Sequence, residues 1–431
     1  MQTLSAADRA RYVRAQLPAG GLFAGLTWRI APSAFSLPSS LFAELEVLGP
    51  QLLAFYRACN TLYRHSVAGK QPKWIADYLD AGKPAELIAL SRSDRFKSAV
   101  PRVIRPDVIL SDDGFFVSEL DSVPGGIGLT GWLGKTYGEL GDNIVGGATG
   151  MMEGFASVLG ERGVVVVSEE AATYRPEMEW LGTQCGFRVV RPEEMDKLEA
   201  CPTIYRFFEL FDLANVPNGW AMLNGEVTPP PKPQLEEKML FAFLWQPQLE
   251  AFWREHLGAE TLASLRRVFP RTWIVDATPL PPHAVIPELG IADWREMARF
   301  SQKQRELVLK ISGFHEHAWG ARSVSVGHDL SAGEWAAAIE RALASWPQHP
   351  FVLQRFGKSR LVETAWFDFE ANELRTFAGR VRLCPFYFVV GDAAKLGGVL
   401  ATICPADKKI LHGMPEAVMS PCCLQSVGTS V

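Results

Sequence analysis

The sequence predicts an α+β protein of two to three domains, and three stretches carry that expectation. Arg105 to Gly126 holds two short apolar-rich runs either side of an Asp112-Asp113-Gly114 turn, a hairpin signal. Gly163 to Val190 reads as strand, helix, strand, and Leu307 to Gln354 reads as strand, loop, strand, helix, strand. At 431 residues the chain is too long for one ordinary core. Its 48% apolar and 21% charged residues, with 13 Trp and 25 Phe, are those of a globular protein able to bury substantial interiors without staples. No fixed-period repeat or low-complexity tract interrupts it.

The same totals exclude several function classes. A net charge of −5 gives no basic footprint for nucleic acid. Residues 1–21 are broken up by Asp8, Arg9, Arg11 and Arg14, so they lack the apolar stretch of a signal peptide, and no run approaches a membrane span. Seven cysteines, odd in number and without a CxxC pair, fit reduced thiols in a cytoplasm. Cys404, His412, Cys422 and Cys423 lie near one another in sequence, but their spacing fits no usual zinc pattern. The cytoplasm is therefore the expected location, with neither nucleic acid nor membrane as a partner and a homo-oligomer left open.

Along the chain, Leu45, Leu48, Leu52, Phe55, Cys59 and Leu62 recur at helical spacing within Leu41 to Tyr63. In the hairpin that follows, a three-residue loop with Gly114 in the left-handed region would set Ser111 opposite Phe115. Asp107 would then face Glu119, and Arg105 would face Asp121. All four charges would share one face, with Ile104, Val108, Leu110, Phe116 and Leu120 on the other. Downstream, Gly163 to Val167 reads as a buried strand, Pro176 to Cys185 as a helix ending at Gly186, and Phe187 to Val190 as a second strand. Thr203 to Phe208 adds another. Thr228-Pro229-Pro230-Pro231-Lys232-Pro233 cannot sustain a helix or central strand and marks a boundary. Beyond it Leu235 to Trp245 reads as a helix, and Val268 to Trp273 returns to extended chain. Leu307 to Ile311, Arg322 to Val326 and Phe351 to Gln354 are strand-like, with Ala332 to Trp346 a helix among them.

Chemistry enters at four places. Three carboxylates and an arginine on one hairpin face repel unless a cation sits among them, and hard oxygen donors suit Mg²⁺ with its phosphates; a salt-bridged surface hairpin is the plainer alternative. Lys310, between Leu309 and Ile311, needs a partner such as phosphate unless it stands on an edge strand facing water. Lys238 opens an apolar helix after Glu236 and Glu237. Gly126-Ile127-Gly128-Leu129-Thr130-Gly131 matches GxGxxG after a strand, although Glu119 and Asp121 upstream oppose a pyrophosphate, and the same glycines suit a tight chain reversal. His315, Glu316 and His317 invite a metal reading only in an extended or irregular loop and otherwise serve as loop contacts. Arg175, Arg206, Arg380 and Arg382 are candidates for pairing with a substrate carboxylate, or surface ion pairs.

Taken in order, these residues resemble the ATP-grasp superfamily. Arg105-Pro106-Asp107, the Asp-Asp-Gly turn and Glu119-Leu120-Asp121-Ser122-Val123-Pro124-Gly125 look like that family's R-x-D, turn, E-x-N, P-G signature. In ordinary members the signature follows the two nucleotide lysines, whereas here it precedes Lys238 and Lys310. That order resembles a circularly permuted ATP-grasp protein, similar to the glutathionylspermidine-synthase-like carboxylate-amine ligases. The likeness runs from about Val100 to Pro421; Gly397-Gly398-Val399 is only loosely similar.

The resemblance implies two α+β lobes around an ATP site with an inserted Rossmann-like βαβ domain. Residues 1–150 would form a helical layer and the metal-binding hairpin lobe, 151–230 a pre-ATP-grasp domain, 235–356 the nucleotide lobe, and 357–431 the rest of the C-lobe. It implies that Asp107, Glu119 and Asp121 hold Mg²⁺ on the ATP phosphates and that Arg105 stabilises the phosphoryl group in flight. Lys238 and Lys310 would contact ATP, with Gln354, Arg355 and Phe356 as the edge against adenine. Gly313, His315, Trp319 and Gly320 are the phosphate-loop candidates. Two departures stand out: Asp121 replaces the usual Asn, and loop 312–320 is poorer in glycine and bulkier than usual. The implied activity is Mg-ATP-dependent ligation of a small-molecule or peptide carboxylate to an amine through an acyl phosphate. The alternatives are a nucleotide-binding regulatory or partner-binding module with weakened catalysis, and an NAD(P)-dependent enzyme built on the GxGxxG match.

Overall fold

The computed structural model describes residues 4–18, 20, 23, 28–197, 203–318 and 322–425. The chain divides into two compact units, Met1–Leu53 with Pro101–Pro230 and Ser359–Val431, and Ala54–Val100 with Pro231–Lys358. Among the described residues it combines helices with a mixed, mostly antiparallel sheet, an antiparallel sheet and a parallel sheet, an α+β arrangement.

The first unit is built on a nine-stranded sheet whose main path runs Arg29–Ile30, Val418–Leu424, Ala393–Pro405, Glu373–Val390, Pro106–Ser111, Gly114–Leu120. The 18-residue strand Glu373–Val390 is its spine. Alternation assigns its faces: Cys384, Phe386 and Phe388 join the core shared with helices Ile127–Glu139 and Gly150–Leu159. On the other face the Tyr387 hydroxyl donates to the Leu45 carbonyl at 2.6 Å, in helix Ser39–Val67. A Cβ on Gly49 would lie 2.3 Å from the Tyr387 ring, so that glycine lets the ring lie against the helix backbone.

The hairpin differs from expectation in its turn and keeps its key pair. Ser111 pairs with Gly114, leaving a two-residue turn at Asp112-Asp113, and Phe116 pairs with Ile109. Phe116 therefore packs with Ile109, Cys404 and Leu411 instead of with Val108 and Leu110. A bulge between Asp107 and Val108 inserts one residue and brings Asp107 opposite Glu119 after all. The Asp121 N–H also donates to the Arg105 carbonyl at 3.0 Å.

Also in this unit is a four-stranded parallel sheet, ordered Arg188–Val190, Val164–Val167, Ile204–Phe207, Val227–Thr228. Val164–Val167 is buried along its whole length, as a continuous apolar run in a parallel sheet should be. The crossover helix Arg175–Cys185 begins with proline in its first turn and ends on left-handed Gly186, both stops legible in sequence. The proline run begins buried in this unit: Thr228, Pro229 and Pro230 are buried, and the fully buried Arg206 guanidinium donates to the carbonyls of Pro229 at 2.9 Å and Phe208 at 2.6 Å.

The second unit centres on a four-stranded antiparallel sheet ordered Thr272–Val275, Phe351–Arg355, Leu307–Ile311, Ser325–Val326. One face is apolar: Trp273, Leu307, Leu309 and Leu353 pack with Trp335, Ile339 and Leu343 of helix Ala332–Ala344. A reciprocal capping box between Ser331 and Glu334 starts that helix. The helix expected over Leu235 to Trp245 is shorter, Met239–Leu244, with Lys238 at its N-cap, and the strand expected from Arg322 covers only Ser325–Val326.

Candidate functional site

Two clusters gather the residues singled out above, each within its own unit. In the first unit Asp107 is 4% exposed and has both carboxylate oxygens engaged. Oδ1 lies 3.0 Å from the Arg105 guanidinium and 3.5 Å from the Cys384 thiol, and Oδ2 lies 2.9 Å from that of Arg382. Arg105 also reaches Asp121 at 2.5 Å and donates to the Gly125 carbonyl at 3.0 Å. Burial alone would raise the Asp107 carboxyl, but Arg382 and then Arg105 outweigh it and hold it below its usual range. Burial opposes the Arg105 charge too, and Asp121 and Asp107 overcome it, so its pKa lies well above normal. Burial pushes the Cys384 thiol up to about 11, which makes it a neutral donor.

The arrangement joins Arg105, Asp107, Glu119 and Asp121 as the sequence implied, and it argues against a three-carboxylate metal seat. Asp107 is spoken for by two guanidiniums, and Asp121 is paired with Arg105. Among the described residues no group of three or more His, Cys, Asp or Glu side chains is placed to hold a metal ion. The buried atoms here without a hydrogen-bond partner are donors, Arg105 Nε and Arg382 Nε. A surplus of donors suits an anion better than a cation. The metal role expected for Asp107 with Glu119 and Asp121 does not fit this donor set, because the positive charge the carboxylates need is already supplied by arginine.

Of the other arginines, Arg206 is buried on backbone carbonyls as described. Arg380 donates to the carbonyls of Ala406 at 2.8 Å and Ser359 at 2.6 Å, and Arg175 to that of Val167 at 2.6 Å. These three serve as backbone clamps. Arg382, a candidate partner for a substrate carboxylate in the sequence, instead pairs with Asp107, and Cys384, one pleat along the spine, is a site residue that the sequence left unmarked. Arg382 lies 275 positions from Asp107, beyond any local pattern.

The GxGxxG stretch opens helix Ile127–Glu139, with Gly126 left-handed at φ 86°. Its amide N–H groups are taken: Gly126 and Leu129 each donate to the buried Glu177 carboxylate at 2.8 Å. A Cβ on Gly128 would lie 2.1 Å from the Glu177 carbonyl oxygen. A carboxylate thus fills the seat a pyrophosphate would need, which leaves these glycines a packing role. Burial drives Glu177 from 4.5 up to about 7, against the two N–H bonds that lower it. A raised folded pKa means that the cost is absent below the unfolded value and fully present above pH 7, about 3 kcal/mol at 1.36 kcal/mol per pH unit. The stability difference between wild type and Glu177→Gln should therefore shift in favour of wild type as pH falls from 7.5 to 5. Denaturant melts at three pH values measure it, and a flat difference would show that Glu177 does not titrate in this window.

In the second unit, Lys310 is 5% exposed and lies on an inner strand, so the water-facing edge reading fails. Its ammonium donates to Gln354 Oε1 at 3.1 Å, and Gln354 Nε2 donates to Thr272 Oγ1 at 3.2 Å. These three buried groups form a polar row across three strands, on the face opposite the apolar core. Helix Met239–Leu244 packs on the strands Thr272–Val275 and Phe351–Arg355, and the Lys238 ammonium at its start donates to the Ala318 carbonyl at 2.7 Å. Arg355 points outward to Glu288 at 3.2 Å, and Phe356 lies 4.6 Å from the His328 ring. The backbone N–H groups of Arg355 and Phe356 already donate to Arg271 and Glu306 carbonyls, so neither is spare for an adenine. Gly313 is buried, and the His315 ring makes edge-to-face contacts with His349 at 4.5 Å and His317 at 5.1 Å between ring centres. Burial first, then His349 and His317, lower the His315 pKa, so it acts as a neutral ring in this loop. Trp319 and Gly320 lie outside the described residues.

No protein-family profile and no curated protein sequence matches this chain. Among solved structures, a glutathione synthetase-like effector from Globodera pallida, in its apo form, aligns with 98% of this chain and 96% of its own at TM-score 0.54 and 11% identity. A Methylobacillus flagellatus protein provisionally assigned as a gamma-glutamylcysteine synthetase aligns with 84% of this chain and 86% of its own at TM-score 0.40 and 9% identity. The first likeness shows the fold: this chain shares that of the glutathione synthetase-like effector, in agreement with its resemblance to ATP-grasp carboxylate-amine ligases.

Proposed function

We propose that the chain is an ATP-dependent ligase that joins a carboxylate to an amine through an acyl phosphate, on a circularly permuted ATP-grasp fold whose residues 151–230 are its Rossmann-like pre-ATP-grasp domain. The observation that carries this reading is Lys310, a buried ammonium on the polar face of its sheet in a chain with a glutathione synthetase-like fold. Lys310 and Lys238 would offset phosphate charge, with Gln354 orienting the Lys310 ammonium. Arg105 keeps the role the resemblance implies, charge compensation for the transferred phosphoryl group. A carboxylate oxygen attacks the γ-phosphorus and ADP leaves; the amine nitrogen then attacks the acyl carbon, phosphate leaves, and the amine loses its proton. Mg²⁺ is proposed as the ion that accompanies ATP, and no step is routed through a carboxylate cage. The cytoplasm remains the proposed location.

A second reading, nucleotide binding without turnover, is favoured by the engagement of Asp107 with Arg105 and Arg382. One titration separates the readings: ATP against NAD, with and without Mg²⁺, on wild type and on the Glu119→Gln, Lys310→Ala double variant. Saturable ATP binding lost in the variant, followed by ADP release with an acid and amine pair, supports the ligase. ATP binding with no ADP release across the acid and amine screen supports the module. Absence of ATP binding, or binding indifferent to the mutations, removes both.

A further inference from the structure

We infer that the buried ion pair Lys83–Glu237, closed on Ser312, is a positioning clamp that sets Lys238 and the Ser312–Ala318 loop for the phosphates of a nucleotide. The ligand part rests on the ATP reading above; the clamp itself rests on contacts within the second unit. Both side chains of the pair are 1% exposed. A buried pair seldom adds stability over an apolar pair of the same volume, so its natural use is to fix where other groups stand.

Glu237 works with both oxygens. Oε1 meets the Lys83 ammonium and Oε2 accepts from the Ser312 hydroxyl. Ser312 then binds the start of helix Met239–Leu244: its Oγ accepts from Met239 N–H at 3.0 Å and its carbonyl from Lys238 N–H at 2.9 Å. The next residue is pressed onto the clamp, since a Cβ on Gly313 would lie 2.9 Å from both the Glu236 carbonyl oxygen and the Glu237 carboxyl carbon. Phe314 follows at φ 46°, its ring 5.6 Å from the Lys83 ammonium. At the far end the Lys238 ammonium holds the Ala318 carbonyl at 2.7 Å. The loop is thus tied at both ends to the residue pair Glu237-Lys238, and Glu237 is anchored in turn by Lys83. Replacing the carboxylate by an amide would set a second donor against the ammonium or leave Ser312 unmatched.

The test compares Glu237→Gln, Ser312→Ala, Lys83→Met and Lys83→Arg on the full chain by amide hydrogen exchange and by ATP affinity. With the clamp broken, exchange over 312–318 should rise at least about tenfold while strand Thr272–Val275 and helix Ala332–Ala344 keep their protection. ATP Kd should weaken by about tenfold to a hundredfold, as for other residues that orient a binding group. Lys83→Arg should stay within about threefold of wild type, a rescue that a purely volumetric role for Lys83 would not give. Ser312→Ala keeps the ion pair intact, so its loop signal is readable even if Glu237→Gln does not fold. Loop exchange and Kd unchanged in Ser312→Ala, or protection lost uniformly across the unit, would overturn the clamp. A wild type that binds no ATP overturns the nucleotide part alone, and loop exchange then decides the clamp.

Discussion

Asp107→Asn is expected to lower the thermal midpoint by on the order of 10 °C. The carboxylate is buried between Arg105 and Arg382, so its loss removes the ion-pair partner of the Arg382 guanidinium, which burial already disfavours, and leaves Arg105 with Asp121 and the Gly125 carbonyl. Breaking a buried pair from one side costs about 3–5 kcal/mol. For a unit of this size each kcal/mol shifts the midpoint by about 2–4 °C. Asp121→Asn is the control: its side chain is 25% exposed, and Arg105 retains Asp107 and the Gly125 carbonyl without it. That change should cost under about 1 kcal/mol. Thermal melts of the two variants side by side check the claim. Equal, small shifts would mean that Asp107 is hydrated and available as a metal ligand after all.

Lys310→Met should weaken ATP binding by about tenfold to a hundredfold while leaving the fold intact, the usual worth of one charge-assisted bond. Methionine fills a similar volume on an inner strand, so the apolar core on the opposite sheet face is undisturbed. Gln354 loses the ammonium at its Oε1 but keeps its bond to Thr272, which limits the stability loss to about 1 kcal/mol. Calorimetric titration with ATP, alongside a melt, separates the two effects. An ATP affinity within threefold of wild type would remove Lys310 from the nucleotide site and make the polar row a structural feature.

The sequence by itself determined the elements whose signals are local. Val164–Val167 is apolar throughout because it is buried on both faces; Pro176 and Gly186 bracket the next helix; the helical spacing of Trp335, Ile339 and Leu343 marks another. The Arg105-to-Asp121 stretch was legible as a hairpin because period-two alternation and an Asp-Gly turn act over a few residues. The bulge that set the Asp107–Glu119 pair was not, since it depends on how the strand is drawn along its neighbour. Only the tertiary structure decided the partners. It brought Arg382 to Asp107 across 275 positions, Lys83 to Glu237 across 154, and the Glu177 carboxylate, 51 positions from Gly126, to the end of a helix that resembled a phosphate seat. Periodicity fixes which face a side chain occupies, but a carboxylate meets either an arginine or a metal according to which distant strand is laid beside it, and that choice is made by the packing of whole sheets.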